Sequence, residues 1–285
     1  MADNHETSRA SVAERSDLGK PGRGTWMRPP RKAWYKALRT LAVLLILYLL
    51  WAIASRRSNP LFLPKPEAVW NDVKELSGNG ILWRSMWISF ARITLATLLA
   101  SLVSVPIGLL MANYKLVERL VTPVTSLMRY IPVTVFYPLL ILWLGIGENM
   151  KVTFLFVATF FFFLPTVTLA VKEISQELVD TAYTMGMSSP QVMLRVLLPS
   201  AMPAICESFL MMYGIGWTYV IIVETVNAQA GLGHIMNLGL LRGRTDLVLV
   251  AVFAILLISK VFDALGKKTI RSLFFWKYAR EISSQ

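Results

Sequence analysis

Four ionisable side chains lie inside long apolar stretches of the sequence. They are Arg92, Arg129, Glu207 and Glu224. A charge at the centre of a bilayer costs at least about 2.5 to 3.5 kcal/mol on insertion scales, so each of these side chains needs an explanation. Three explanations stay open for Arg92 and Arg129: attraction of an anionic solute, a structural ion pair, or a clamp on backbone carbonyls near a helix end. For Glu224 we expect a gate or a packing partner.

The sequence contains no constellation of residues that suits catalysis. His5 and His234 are the only histidines and Cys206 is the only cysteine, which leaves no metal cluster, no catalytic triad and no intrachain disulfide. No G-x-x-x-x-G-K-[ST] pattern is present, so the common phosphate-binding loop is missing. We expect a chain that is not an enzyme and carries no cofactor or metal of its own.

The composition indicates an integral membrane protein. Of the 285 residues, 55% are hydrophobic, and the mean hydropathy is +0.54, far above the range of soluble domains. The net charge is +12, but no basic motif interleaved with aromatic residues points to nucleic acid. The basic residues cluster at the ends of the apolar stretches, as the positive-inside rule predicts.

The apolar runs predict an all-α, polytopic fold of about six transmembrane helices. An amphipathic pattern beginning at Val69 predicts a further helix along the outer interface. The predicted spans cover residues 37–54, 85–113, 121–146, 151–171, 203–226 and 247–262.

The charged segments set the predicted topology. Residues 1–36 are rich in Ser, Gly, Pro, Arg and Lys and predict a disordered basic tail. Residues 266–285 form a second basic tail. With six spans, both tails face the cytoplasm and residues 56–84 and 227–246 face outward.

Residues 180–203 form a polar break among the apolar runs and predict two short helices joined by a turn. Gly186 is placed to end the first helix in a left-handed conformation. Ser189 and Pro190 suit the N-cap and first position of the second helix. Pro199 is expected to stop that helix.

Several apolar residues lie inside this polar break. They either pack on the protein's own helix ends or form an exposed surface for a partner, a role that suits methionine and aromatic side chains. They are Tyr183, Met185, Met187, Val192, Met193 and Leu194.

The same segment resembles the cytoplasmic signature of the permease subunits of bacterial ABC importers, E-A-A, three residues, G, nine residues, I-x-L-P. Asp180-Thr181-Ala182 stands for E-A-A, Gly186 holds the glycine position, and Val196-Leu197-Leu198-Pro199 closes the pattern. The acidic and alanine positions are only partly kept.

Further motifs over about residues 60–265 resemble the branch that carries nitrate, sulfonates, taurine, bicarbonate and some thiamine-precursor pyrimidines. They are Leu63-Pro64-Lys65-Pro66, Ser89 with Arg92, Arg129-Tyr130-Ile131-Pro132, the run from Pro138 to Glu148, and Glu224 followed by Gly231-Leu232-Gly233.

The resemblance implies the type I importer permease fold. Its domain would span residues 85–265 and include a coupling segment at 173–202, with residues 37–84 adding the first helix and the outer segment. It also implies a location in the inner (plasma) membrane of a bacterial cell, where the lipid bilayer surrounds the chain. Three protein partners follow from it: a second copy of the permease, a cytosolic ATPase that holds ATP and magnesium, and an extracytoplasmic binding protein.

The resemblance likewise assigns roles to residues. The expected contacts to the ATPase are Asp180, Thr181, Ala182, Tyr183, Gly186, Met187, Ser188, Gln191, Leu194, Leu198 and Pro199. Candidates for the translocation path are Arg92, Arg129, Tyr130, Pro132, Trp217 and Glu224.

Two other classes of protein stay open. A secondary transporter or channel would be favoured by inverted repeats or broken helices with ion ligands at the bilayer midplane, and the sequence shows no evident repeat. A membrane-embedded enzyme would need a His, Asp or Cys cluster within the spans.

Overall fold

The structure, a computed structural model, describes residues 33–226 and 229–277. Within these ranges every regular element is helical. The chain divides into two compact units, Met1–Trp51 and Ala52–Gln285. Of the predicted N-terminal tail, residues 1–32 lie outside the described part, and residues 33–36 begin the first helix rather than belonging to a disordered segment.

We number the helices α1 to α11 in chain order. A 3₁₀ turn (Val133–Val135) precedes α5, and a π turn (Met193–Leu197) joins α8 to α9. The helices are α1 (Ala33–Arg57), α2 (Pro66–Gly78), α3 (Ile81–Asn113), α4 (Lys115–Tyr130), α5 (Phe136–Leu144), α6 (Glu148–Lys172), α7 (Gln176–Thr184), α8 (Ser189–Val192), α9 (Leu198–Thr225), α10 (Leu232–Leu241) and α11 (Thr245–Leu273).

In the described part, five helical stretches are long and apolar enough to cross a membrane. If the pair α4–α5 is counted as one span, there are six. They include α1, α3, α6, the continuous stretch Ser189–Thr225 and α11. The all-α, polytopic prediction is therefore confirmed. The last span runs to Leu273, so the beginning of the predicted C-terminal tail is helical.

The third span, predicted at residues 121–146, is not a single continuous helix. Helices α4 and α5 meet at an angle of 85°. Ile131 is extended (φ −87°, ψ 121°) because the ring of Pro132 disfavours a helical residue before it. The chain therefore forms a broken span or a re-entrant segment here.

The prediction that Pro199 stops a helix is wrong. Pro199 lies at the start of α9, directly after the π turn, in which the Leu198 N–H bonds to the carbonyl of Met193. The nitrogen of Pro199 carries no hydrogen and cannot donate a helical hydrogen bond. The wider π turn lets the helix continue without that bond. Residues 189–225 consequently form one continuous helical stretch.

The core lies where α3, α6 and α9 pack together. Ile93, Phe154, Val167 and Val220 are completely buried there. Gly216 allows α9 to approach α3 closely, since a Cβ at this position would lie 2.8 Å from Cγ2 of Ile93. Small residues at helix contacts are the usual means of such close packing in membranes.

The two segments that were predicted to face outward also contain helices. The predicted amphipathic helix is present as α2, whereas the loop at 227–246 holds the unpredicted short helix α10. Arg244 joins α2 to α11 through ion pairs with Asp72 (2.5 Å) and Asp246 (3.0 Å).

Candidate functional site

The polar break folds into a sharp turn between α7 and α8, which we call the elbow (residues 176–197). Gly186 has φ +82° and adopts the predicted left-handed conformation. The N–H of Gly186 bonds to the Tyr183 carbonyl (2.9 Å), and that of Met187 bonds to the Ala182 carbonyl (3.2 Å). This pair of bonds is a Schellman motif, which satisfies the last carbonyls of α7.

A capping box begins the second arm of the elbow. The N-cap is Ser188, not the predicted Ser189, and the Ser188 N–H donates to Oε1 of Gln191 at 2.9 Å. The Ser188 side chain in turn accepts from the backbone at Gln191. The two reciprocal bonds fix the direction in which α8 leaves the turn.

One side of the elbow packs into the membrane domain. Ala182, Val192 and Leu197 are buried in a cluster that also contains Val171 of α6, and Met187 packs against the same cluster while half-buried. The elbow is therefore attached to the ends of the spanning helices along this side.

The opposite side carries exposed apolar side chains. Met185 is 77% exposed, Leu194 55% and Tyr183 45%. These three residues constitute the exposed apolar face of the elbow. The sequence left open whether such residues pack internally or stay exposed, and the structure divides them between both surfaces.

The remaining predicted coupling residues lie along the same segment. Their bonds are local: Asp180 accepts from Gln176 (3.1 Å), and the Thr181 hydroxyl donates to the Glu177 carbonyl (2.7 Å). Pro199 is exposed and Leu198 is half-buried, both at the start of α9.

A second cluster lies at the other end of the spans. Nε and an Nη atom of Arg92 donate to both oxygens of Glu148 at 2.6 Å, and the other Nη donates to Glu224 at 2.6 Å. Lys151 also pairs with Glu148, at 3.0 Å. These four residues join α3, α6 and α9. We call them the buried ion network because Arg92, Lys151 and Glu224 are buried, although the Glu148 side chain is 59% exposed.

The network also fixes the loop that leads into α10. The Ser89 hydroxyl lies 2.8 Å from both oxygens of Glu224 and accepts from the Leu232 N–H at 2.9 Å. The Gly233 N–H donates to Glu224 at 2.9 Å. Gly231, at φ +126°, has no room for a side chain because a Cβ would lie 2.5 Å from the Glu224 carboxylate.

The charges in this network are already balanced. Two cations face two carboxylates, and with the Ala230 carbonyl (2.9 Å) Arg92 uses four of the five N–H groups of a guanidinium. Arg92 is 6% exposed and Glu224 is completely buried. The arrangement suits mechanical attachment of the loop before α10 better than attraction of an anion.

The other path candidates lie elsewhere. Arg129, Tyr130 and Pro132 are exposed at the break between α4 and α5, and in the described residues Arg129 shares no ion pair with the network. Trp217 is 4% exposed, and its Nε1 has no hydrogen-bond partner among the residues that the structure describes. Glu207 is exposed and lies 3.5 Å from Lys277.

Glu148 and Lys151 are members of the network that sequence reasoning did not select. Glu148 ends the family-like run from Pro138, which is the one signal that marked it. No group of His, Cys, Asp or Glu that could hold a metal occurs among residues 33–226 and 229–277.

Comparison with known proteins places these features in a family. Residues 104–273 match the model of the binding-protein-dependent transport system inner membrane component family. The taurine transport system permease protein TauC of Escherichia coli (strain K12) is 30% identical over 252 residues, which cover 86% of this chain and 90% of the relative. The putative aliphatic sulfonates transport permease protein SsuC of the same organism is 27% identical over 255 residues, covering 89% and 97%.

A solved structure shows the same fold. An inward-facing MetNI methionine ABC transporter aligns with a TM-score of 0.60 at 23% identity, over 67% of this chain and 95% of the other. The family match covers the elbow and the helices that carry it. The chain therefore belongs to the inner-membrane components of binding-protein-dependent transport systems, as a permease subunit of an ABC importer.

Proposed function

We propose that this permease imports small organic sulfonates, such as taurine, across the bacterial inner membrane. Its relatives include permeases named for taurine and for aliphatic sulfonates. A dimer of the chain would form the path, and an extracytoplasmic binding protein would deliver the solute. ATP and magnesium would bind to a separate ATPase.

The observation that carries the ATP-driven part of this proposal is the exposed apolar face of the elbow. Met185 and Leu194 are more than half exposed on a turn whose conformation is fixed at both helix ends. Exposed apolar side chains on a rigid support are suited to a groove in a partner. We assign that groove to the ATPase, which makes the elbow the point where free energy from ATP enters the chain.

The buried side of the elbow completes the transmission. Because Ala182, Val192 and Leu197 pack against α6 and α9, movement of the ATPase subunits would tilt the spans. Nucleotide must then bind more tightly to one of the two states, inward-open or outward-open, to shift their populations.

The proposed orientation places both termini and the elbow in the cytoplasm. The basic residues near the end of α11 support it, since Lys and Arg concentrate on the cytoplasmic side. The buried ion network would then lie at the extracytoplasmic end, where it fixes the loop before α10.

The experiment compares two apolar residues with the same exposure. Met185 on the elbow and Phe62 before α2 are each 77% exposed. The complex is reconstituted in proteoliposomes with its ATPase and binding protein. We expect Met185→Glu to release the ATPase and to lower ATP-driven taurine uptake more than tenfold, because a charge is placed in an apolar contact. Phe62→Glu should keep the ATPase bound.

Two results would contradict the proposal. Undiminished ATPase binding and uptake in Met185→Glu would exclude the elbow as the contact. Taurine uptake driven by an ion gradient without ATP would favour a secondary transporter.

A further inference from the structure

We propose that the C-terminal end of α11 binds an anionic phospholipid. Its headgroup would contact Lys268 and Arg271, and its acyl chains would lie along Leu257 and Val261 of the same helix. All four side chains are exposed, and together they constitute what we call the lipid site. The inference does not depend on which solute the permease transports.

The length of α11 places the two cations just outside the hydrocarbon core. The helix has 29 residues, Thr245–Leu273, and is therefore about 44 Å long. A straight helix crosses a core about 30 Å thick in about 20 residues. Counted from Leu247, where the predicted last span begins, the core ends near Gly266. Lys268 and Arg271 follow within about 8 Å, which is the level of the lipid headgroups.

The two cations have no counter-ion within the chain. Lys267, their neighbour, pairs with Asp263 at 2.8 Å. In the described part of the chain, no carboxylate pairs with Lys268 or Arg271. The two residues are three positions apart, so their side chains lie on the same side of the helix. Two adjacent positive charges without a counter-ion favour an anion that contacts both.

The apolar residues before the cations share their face of the helix. Leu257 is 59% exposed and Val261 48%. With Ala264, they precede Lys268 and Arg271 at spacings of four, three, four and three residues, which keeps all five on one helical face. This face is apolar inside the core and cationic directly beyond it. A phospholipid has the same order, because its acyl chains are joined to a phosphate.

Aromatic side chains mark the same level at the end of the helix. Phe275 is 66% exposed and Trp276 54%. The Trp276 ring packs edge-to-face against Phe274 and Phe275, with centroids 5.4 and 5.5 Å away. Tryptophan is enriched at the membrane–water interface, where its ring lies among the headgroups. The aromatic cluster therefore supports an interfacial position for the adjacent cations.

The charge of the site selects the headgroup. Phosphatidylcholine carries a cation of its own beside the phosphate, whereas phosphatidylglycerol has a net negative charge. Each lysine or arginine near an anionic surface contributes about fivefold in affinity. In the proposed orientation the lipid site faces the cytoplasmic leaflet, which is the leaflet that carries anionic lipids.

The test is native mass spectrometry of the full-length permease in detergent, titrated with phosphatidylglycerol or with phosphatidylcholine of the same acyl chains. We expect phosphatidylglycerol to bind more tightly. Lys268→Gln should weaken its binding about fivefold, and Lys268→Gln with Arg271→Gln about thirtyfold, while phosphatidylcholine binding stays unchanged. Lys268→Arg should retain the affinity of the unchanged protein.

The matched control is Asp263→Asn combined with Lys267→Gln. This double variant removes an ion pair at the same level of α11 without changing the net charge. The affinity for phosphatidylglycerol should change less than about twofold, because both cations of the lipid site remain.

Three results would overturn the proposal. The first is equal phosphatidylglycerol affinity in the unchanged protein and in Lys268→Gln with Arg271→Gln. The second is displacement of phosphatidylglycerol by an equal concentration of inorganic phosphate, which would assign the cations to a free anion. The third is loss of a permease dimer in that double variant with lipid binding retained, which would assign this face of α11 to a second copy of the chain.

Discussion

Replacing Arg92 by methionine removes the centre of the buried ion network while keeping a long, flexible side chain. The substitution breaks the two ion pairs at 2.6 Å to Glu148 and Glu224. Glu224 is completely buried, so its charge is left with Ser89 and the Gly233 N–H as partners. Removing one partner of a buried ion pair costs about 3 to 5 kcal/mol.

The matched control is Lys172→Met. Lys172 pairs with Glu118 at 2.5 Å, but the two side chains are 40% and 37% exposed. Solvent screens such a pair, and its loss costs about 0 to 1 kcal/mol. At about 2 to 4 °C per kcal/mol, Arg92→Met should lower the melting temperature by roughly 6 to 20 °C and Lys172→Met by no more than about 4 °C.

The assay is thermal unfolding of the purified permease in detergent, followed by light scattering and tryptophan fluorescence. Adding Glu224→Gln to Arg92→Met should restore part of the loss, since the amide removes the unpaired charge. Equal melting temperatures for Arg92→Met and Lys172→Met would refute the account of the network as a structural attachment.

Two further predictions concern the elbow and the outer segment. Gly186→Ala should destabilise the elbow by about 1 to 2 kcal/mol, because φ is +82° although no atom lies within 4 Å of the new Cβ. Gly78→Ala is the control, because Gly78 is equally uncrowded but has no positive φ, and it should leave the elbow unchanged. Limited proteolysis measures the difference, and equal cleavage at the elbow in the two variants would contradict the prediction. Burial raises the pKa of the Asp72 carboxyl, so the folded state holds that proton more tightly than the unfolded chain. The unchanged protein should therefore lose melting temperature relative to the Asp72→Asn variant as pH rises above about 4. A gain in melting temperature relative to that variant over the same pH range would contradict the prediction.

Local features of the sequence predicted much of the fold. The apolar runs gave the spans, and the glycine at position 186 predicted the left-handed turn that the structure contains. Two prolines were harder to interpret. Pro132 breaks its span, whereas Pro199 is accommodated by a π turn, because the turn before it supplies a wider hydrogen-bonding pattern.

The contacts within the buried ion network could not be predicted. Arg92 lies 132 positions from Glu224 in the sequence and 56 positions from Glu148. No local periodicity pairs residues so far apart, since tertiary packing of α3, α6 and α9 decides which charges meet.

The most direct test of the elbow as the coupling contact is a cross-link to the ATPase. Cys206 is the only cysteine, so Cys206→Ala gives a background without thiols in this chain. Met185→Cys and, as a control of equal exposure, Phe62→Cys are then introduced separately. After treatment of membranes with a short bifunctional reagent, Met185→Cys should cross-link to the ATPase and Phe62→Cys should not. An ATPase product from Phe62→Cys alone, or from neither variant, would contradict the account.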